Sequence, residues 1–438
     1  MADAPNEKKF MREKIVKPQV SKRQIAGRIF WLIICAVIFG VVAAVTFVVS
    51  RPMAEKYFGK GPGPETIPIT IERDDEPGST AAAMETMAET APPESQSEAE
   101  RKELEQIVKG EMENFPWTTD QADALNQVFR EISQDADKSI VTVSSVKHQV
   151  DWFDNPVEST GQYAGIILAV NSSEVVILTG TAALEGADSL RVVFGDGSTA
   201  AGTVKQRDRM NRLAILSVMS HELPEATRKW IAAAELGNSY TVRTGDMVVA
   251  VGSPAGQVHS VMRGTVAHVA KNVQAVDGQT RLLYIDFNCD TERGTFFLNL
   301  SGQLIGWATD VFGDDERPGV TMVMPVSEYK GSLQKLSNGI PIPYLGIKGQ
   351  EVSEAMQEEG IPKGIYIIES IADGPAYLAG IKNGDILTKI RGEEISSIRD
   401  FQSCLENMEA GAEITVVIGR KGIDEYKEIE YNVITGAR

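Results

Sequence analysis

Apolar residues keep three different patterns along this chain. The first is unbroken: positions 29–50 read IFWLIICAVIFGVVAAVTFVVS without a charge, long enough for a helix of roughly 20 residues to cross the hydrocarbon of a bilayer. The second is helical. Thr119 is a candidate N-cap, and Leu125, Val128 and Ile132 follow at spacings that share one helical face. The third has the short period of strands, with β-branched runs at 139–146, 165–170, 174–178, 190–194, 213–218, 246–251, 282–287 and 303–308. Turn residues separate these runs, and Asp196-Gly197 and Asp277-Gly278 read as hairpin turns. So many short strands predict a mainly β fold, an all-β barrel or sandwich.

Charge orients the apolar run. Lys8, Lys9, Arg12, Lys14, Lys17, Lys22, Arg23 and Arg28 precede it against only Asp3, Glu7 and Glu13. The positive-inside rule then makes 1–28 a cytoplasmic basic tail, 29–50 a transmembrane helix and everything after Arg51 extracytoplasmic. A cleaved signal peptide fits less well, because the run exceeds the usual apolar length and Ser50-Arg51-Pro52 is a poor small-residue cleavage site. Across 51–116 the composition turns to Gly, Pro, Ser, Thr, Ala and acidic residues. Such a stretch buries too little apolar surface to offset chain entropy. It predicts a flexible acidic linker, with a solvated helix at 98–110, that spaces the later domains from the membrane.

The 438 residues allow two or three domains. A formal net charge of -18 argues against nucleic acid as a partner, since nothing so acidic neutralises a phosphate backbone. Cys35, Cys289 and Cys404 lie far apart, and His148, His221, His259 and His268 lack zinc-ligand spacing. No disulfide framework, metal site or other cofactor is therefore expected.

Four motifs then occur in a fixed order: VILTGTAALEGAD at 176–188, RVVFGDG at 191–197, VAVGSPAG at 249–256 and GQLIG at 302–306. They resemble the histidine-bearing segment, the strand and hairpin after it, the Ile-Gly-Asn-Pro-Phe-Gly turn and the strand following the nucleophile loop of the HtrA family. Members of that family are trypsin-like serine proteases carrying PDZ domains. The likeness runs from about residue 122 to the C-terminus. It implies a trypsin-like double β-barrel over 117–335 and an α+β PDZ domain over 340–435.

The same resemblance puts unsuitable residues at all three catalytic positions. The family's histidine falls on Ala182, whose methyl group can neither accept nor return a proton. Its aspartate falls on Arg212, within Asp208-Arg-Met-Asn-Arg212-Leu-Ala-Ile-Leu216. A guanidinium offers donors only and cannot steady an imidazolium. Counting back from Asn299-Leu-Ser-Gly302, the nucleophile loop becomes Thr291-Glu-Arg293-Gly-Thr295, with Arg293 at the serine to within one position. Thr291 replaces a glycine of the oxyanion frame, where positive φ is often needed. Neither Ser253 with His259 nor Thr295 supplies a substitute triad. Arg212 and Arg293 either pair with Asp290 or Glu292, because unpaired charge in a cleft is costly, or point into water.

Residues 373–387, DGPAYLAGIKNGDIL, form the most specific motif in the chain and resemble the PDZ signature. A short helix there packs Ala376 and Ala379 closely, and Gly380 and Gly384 permit a tight turn into the next strand. PDZ domains add a peptide strand to a sheet edge and hold its carboxylate in a nest of amides. The resemblance assigns that loop to Tyr344, Leu345, Gly346 and Ile347, and lets a ligand pair along Ile347, Lys348 and Gly349. Phe401, Cys404, Leu405 and Met408 line the groove or belong to the core. Nothing in the loop suggests lost binding.

The expected protein is a membrane-anchored, extracytoplasmic HtrA-like pseudoprotease. It would recognise polypeptide C-termini or unfolded segments as an adaptor or regulator in protein quality control. The alternatives are an active HtrA-like serine endopeptidase with a divergent site and a membrane scaffold without a peptide ligand. Family members commonly form trimers through residues before the first strand, which makes a homotrimer involving Phe115 and Trp117 a further expectation.

Overall fold

In the computed structural model, which describes residues 67–75, 119–150, 156–313, 319–423 and 425–438, strand alternation builds two closed barrels. The first comprises β1 (Ile140–Val150), β2 (Pro156–Val170), β3 (Glu174–Gly180), β4 (Ser189–Phe194), β5 (Thr199–Asp208) and β6 (Leu213–Met219), in the order β1-β2-β3-β6-β5-β4. The second comprises β7 (Met247–Gly252), β8 (Met262–Ala275), β9 (Gly278–Ile285), β10 (Thr295–Leu298), β11 (Leu304–Ala308) and β12 (Thr321–Pro325), in the order β10-β11-β12-β9-β8-β7.

Period two explains how these barrels pack together. On β3, Val175 and Ile177 fill the first barrel, while Val176 and Leu178 face a shared core that also takes Val249 and Val251 of β7. On β7 the alternate residues, Val248 and Ala250, fill the second barrel. Strands buried on both faces read as continuous apolar runs, so these were the most visible in the sequence.

Helix α1 (Thr119–Asp137) seals the shared core, but with a different face from the one its spacing suggested. Phe129, Ile132 and Ala136 are buried there, whereas Leu125 and Val128 are 36% and 41% exposed. Of the three positions expected inside, only Ile132 is. The heavier Phe129 sets the phase, and Arg263 of β8 caps its ring at 5.2 Å.

A short α2 (Glu225–Trp230) precedes the second barrel, and α3 (Val326–Ser337) follows it, burying Val326, Tyr329, Leu333 and Leu336 in the shared core. Residues 67–75 lie along α3, although composition placed them in the linker of 51–116. Ile69 N–H donates to Asn338 Oδ1 at 2.8 Å and Ile71 N–H to Gln334 Oε1 at 3.1 Å. Asp74 pairs with the buried Lys330 at 2.8 Å. Ile69 and Ile71 alternate with polar residues and present a small apolar face that an averaged composition conceals. The basic tail of 1–28, the apolar run of 29–50, Phe115 and Trp117 lie outside the described residues. Among the described helices none is long and apolar enough to cross a membrane.

The last unit is a sheet with the order β14-β15-β16-β18-β19, in which β17 (Glu393–Glu394) pairs with β16. Its strands are β14 (Ile347–Glu351), β15 (Ile365–Ser370), β16 (Ile386–Ile390), β18 (Glu413–Lys421) and β19 (Tyr426–Ile434). A small pairing of β13 (Pro343–Tyr344) with β20 (Gly436–Ala437) stands beside it. Three helices complete the unit: α4 (Glu354–Glu358), α5 (Pro375–Ala379) and α6 (Ile398–Glu406). Gly380 and Gly384 take φ of 95° and 87°, as the turn after α5 requires. Helix α6 starts with a reciprocal capping box between Ser397 and Asp400. Among the described residues β14 pairs within the sheet only with β15, so its other edge carries no strand of that sheet.

Candidate functional site

Two regions hold the described residues singled out by sequence. In the first, β3 ends in a 3₁₀ turn, Thr181–Leu184, that carries Ala182, and the β5–β6 turn carries Arg212 at φ 54°. The turns are tied together, since Thr181 N–H donates to Arg212 O at 2.9 Å. Ala182 and Arg212 both line a cavity of about 460 Å³, with Tyr163, Glu292, Thr295 and Asp310 around them. Arg293 lines a separate adjoining cavity with Gly161, Gln162 and Gly256, and Glu292 and Tyr163 are common to both.

The arginines find carboxylates, though only one of the expected partners is used. Arg293 Nε lies 3.5 Å from Asp290 Oδ2, and its terminal nitrogen donates to Gly256 O at 3.2 Å. Arg212 pairs with Asp310 at 2.5 Å instead of with Asp290 or Glu292. The Arg212 and Asp310 side chains are 60% and 43% exposed, so the pair contributes no more than about 1 kcal/mol. Asp290 has a second role. Its Oδ1 accepts from the backbone N–H groups of Glu292 at 2.9 Å and Arg293 at 2.7 Å. In the nucleophile-loop alignment one of these is the amide of the serine position, and its hydrogen is already donated to a carboxylate.

Other hydroxyls nearby are structural. The buried Thr295 donates to Asp290 O at 2.6 Å. Ser253 is fully buried, with no partner for its hydroxyl among the described residues, and His259 faces elsewhere. His259 Nδ1 lies 2.6 Å from Asp137 Oδ1, and Nε2 lies 3.4 Å from Thr142 Oγ1. Asp208, the aspartate that survives in its motif, is wholly buried. It accepts from Met210 N–H at 3.0 Å, Asn211 N–H at 3.2 Å and the Tyr329 hydroxyl. Burial, and then the Asp208 charge, push the Tyr329 phenol well above its ordinary range. Among the described residues no cluster of three His, Cys, Asp or Glu side chains could hold a metal ion.

The second region is the loop from Tyr344 to Ile347 at the free edge of β14. Gly346 takes φ 85°, and a Cβ there would come 2.9 Å from the Tyr344 ring. This left-handed residue turns three consecutive N–H groups, of Leu345, Gly346 and Ile347, toward one point. They meet the carboxylate of Asp277, at the tip of the β8–β9 hairpin. Burial, and then the Asp277 charge, raise the Tyr344 phenol above its usual value. Lys348 pairs with Glu369 at 2.8 Å on the other side of β14. Phe401, Leu405 and Met408 of the α6 region are buried with Leu345 and Ile347 in one core, and Cys404 is half-buried beside them. The α6 side chain that reaches the hairpin is Gln402, whose amide donates to Gln279 O at 3.1 Å.

Asp277, Gln402 and Asp310 were not foreseen as site residues. The only local signal was the Asp277-Gly278 turn.

Residues 164–306 match the trypsin-like peptidase domain family and residues 343–431 the PDZ domain family. The serine protease Do-like HtrA of Bacillus subtilis (strain 168) is 27% identical over 291 residues, 62% of this chain and 63% of that protein. A protein of Haemophilus influenzae described as a probable periplasmic serine protease do/HhoA-like is 26% identical over 271 residues, 60% of this chain and 56% of its own length. The chain thus spans less than two thirds of either relative. The solved HtrA-type protease AlgW with a decapeptide shares the fold, with a TM-score of 0.51 at 20% identity, covering 71% of this chain and 98% of that one. A trypsin-like peptidase domain followed by a PDZ domain, with HtrA serine proteases among the relatives it matches, marks this chain as HtrA-like.

Proposed function

We propose that this protein is a catalytically inert HtrA-like pseudoprotease that recognises polypeptide C-termini or unfolded segments through its PDZ groove. In this reading 29–50 anchors it in a membrane, its folded domains are extracytoplasmic, and it acts as an adaptor or regulator in protein quality control. The observation that carries inertness is the cavity lined by Ala182 and Arg212. Neither side chain can take a proton from a nucleophile and give it to a leaving group, and a guanidinium cannot stabilise a neighbouring imidazolium. Asp290, bound to the amides of Glu292 and Arg293, supports the same conclusion. Peptide recognition is supported by the three convergent amides at the β14 edge, and by the AlgW relative having been solved with a decapeptide. Extracytoplasmic placement is supported by the Haemophilus relative described as a probable periplasmic serine protease. Assembly as a homotrimer, implied by family resemblance, belongs to the same reading and is checked by light scattering.

The test is incubation of the purified full-length chain with reduced casein, with and without a serine-directed inhibitor. Intact casein is expected, and cleavage abolished by the inhibitor would overturn inertness. In parallel, a hydrophobic peptide should bind with a free C-terminus and lose binding when amidated.

A working endopeptidase with a divergent site is the second reading. It is favoured by the line formed by Asp137, His259 and Thr142. Against it, Thr142 is only 9% exposed within β1 and its contact with the ring is long. Casein cleavage lost on Thr142→Val would establish this reading.

A further inference from the structure

A peptide that ends in a PDZ groove must satisfy two sets of hydrogen bonds with its last residue. Its carboxylate accepts from the convergent amides, and its own N–H donates to the carbonyl of the strand it joins. In this chain Asp277 does both. Its Oδ2 accepts from Leu345 N–H at 2.8 Å, and its Oδ1 accepts from Gly346 N–H at 2.8 Å and Ile347 N–H at 3.0 Å. Its backbone N–H donates to Ile347 O at 2.7 Å. Farther along the same edge, the Gln274 side-chain amide donates to Gly349 O at 3.2 Å.

The opposite wall fits the hairpin as closely. Gln402 of α6 holds Gln279 O, and a Cβ on Gly278 would lie 2.3 Å from the Gln402 amide nitrogen. The tip is therefore clasped between the free edge of β14 and α6, the two walls of the groove. Asp277 is 5% exposed. A carboxylate buried to that degree is stable only where donors replace its lost hydration, and the loop amides are those donors.

We infer that the β8–β9 hairpin tip is a built-in ligand of the PDZ groove, with Asp277 in the seat of a C-terminal residue, so that a free peptide end binds by displacing it. This inference rests on the reading of the groove as a carboxylate-terminus site. The hairpin is tethered, so it competes at an effective concentration on the order of millimolar or above. The apparent affinity for an external peptide falls by the fraction of molecules in which the tip is out. The partner class that follows is a polypeptide with a free, hydrophobic C-terminus, able to supply one carboxylate and one strand.

The experiment compares the purified full-length chain with its Asp277→Asn variant by two readouts. One is hydrogen exchange across 344–349. The other is fluorescence anisotropy of a hydrophobic peptide with a free C-terminus, beside its amidated form. An asparagine turns an NH2 group toward at least one loop donor, so docking should weaken about tenfold or more, the effect of one lost buried hydrogen bond. Faster exchange at 344–349 is expected, with peptide binding tightened by a similar factor and no binding of the amide. Unchanged exchange overturns the inference, as do equal affinities where both chains bind. Faster exchange with no peptide bound by either chain upholds the built-in ligand and sinks the peptide-recognition reading. Gln402→Ala, which removes one contact from the other wall, should produce the same changes on a smaller scale and keeps the test open if Asp277→Asn fails to fold.

Discussion

The turn that carries the PDZ signature is held by one ion pair, and its removal gives a calculable loss. Arg420 Nε donates to Asp385 Oδ1 at 2.7 Å and a terminal nitrogen to Oδ2 at 2.7 Å, with a further bond to Gly380 O at 2.9 Å. Asp385 is 2% exposed, and among the described residues Lys382 N–H is its one other donor, at 2.7 Å. In Arg420→Met the carboxylate keeps that single amide and loses its countercharge. Breaking a buried pair costs about 3–5 kcal/mol. The Arg420 side chain is 29% exposed, so water partly replaces it and about 2–3 kcal/mol is the expected loss. Because Asp385 O accepts from Ile367 N–H at 2.8 Å, the weakening should reach β15, which borders the groove strand β14. A chain with several domains does not unfold in two states, so native-state hydrogen exchange of β15, β16 and β18 is the suitable assay. The companion Asp385→Asn and the double variant complete a cycle, whose coupling should be about 2 kcal/mol. A loss below about 0.5 kcal/mol in Arg420→Met, or an additive cycle, would refute this account.

Under the proposed reading, introducing Ala182→His, Arg212→Asp and Arg293→Ser together should leave a poor enzyme while Asp290 holds the loop amides. Adding Asp290→Gly should raise labelling by a serine-directed fluorophosphonate about 100-fold, as one oxyanion donor is worth, and equal labelling at any level refutes the idea. Tyr329→Phe removes the hydroxyl that the buried Asp208 accepts from, and a loss of about 1–3 kcal/mol is expected in native-state hydrogen exchange of β5, β6 and α3. A variant as stable as the parent would show that Asn211 and Arg438, whose Nε lies 3.3 Å from Asp208 Oδ2, suffice for Asp208. The Cys289 thiol is held above its usual range by burial first, against hydrogen bonds from Thr321 and Thr295 that lower it. It stays protonated at pH 8, so iodoacetamide followed by mass spectrometry should modify it far more slowly in the folded chain than in urea. The folded rate should rise only as pH climbs through the raised value, and equal rates at pH 8 would contradict that.

Much of the fold was legible because its signals are local. Strands β3, β6, β7 and β11 are apolar on both faces and stand out as runs, and the PDZ turn declares itself through Gly380, Gly384 and their neighbours. Strands β5 and β8 were missed, because each is half exposed and interleaved with Lys, Arg and Gln. Strand β10 is only four residues long and follows directly on the loop that carries Arg293. At the site, positions 182, 212 and 293 are picked out by motif order alone, but the partners of the two arginines are not. Asp310 lies 98 positions from Arg212, and no periodicity encodes a pairing at that distance. Asp277 is the sharpest case. The pair Asp277-Gly278 has a short-range meaning, a tight turn, and that was read. Its carboxylate also has a long-range meaning, 68 to 70 positions away in the PDZ loop. A hairpin tip normally leaves its acidic side chain in water, where hydration costs nothing to keep. This one gives up that hydration for three amides, which the turn itself does not need and which are otherwise suited to the end of a peptide.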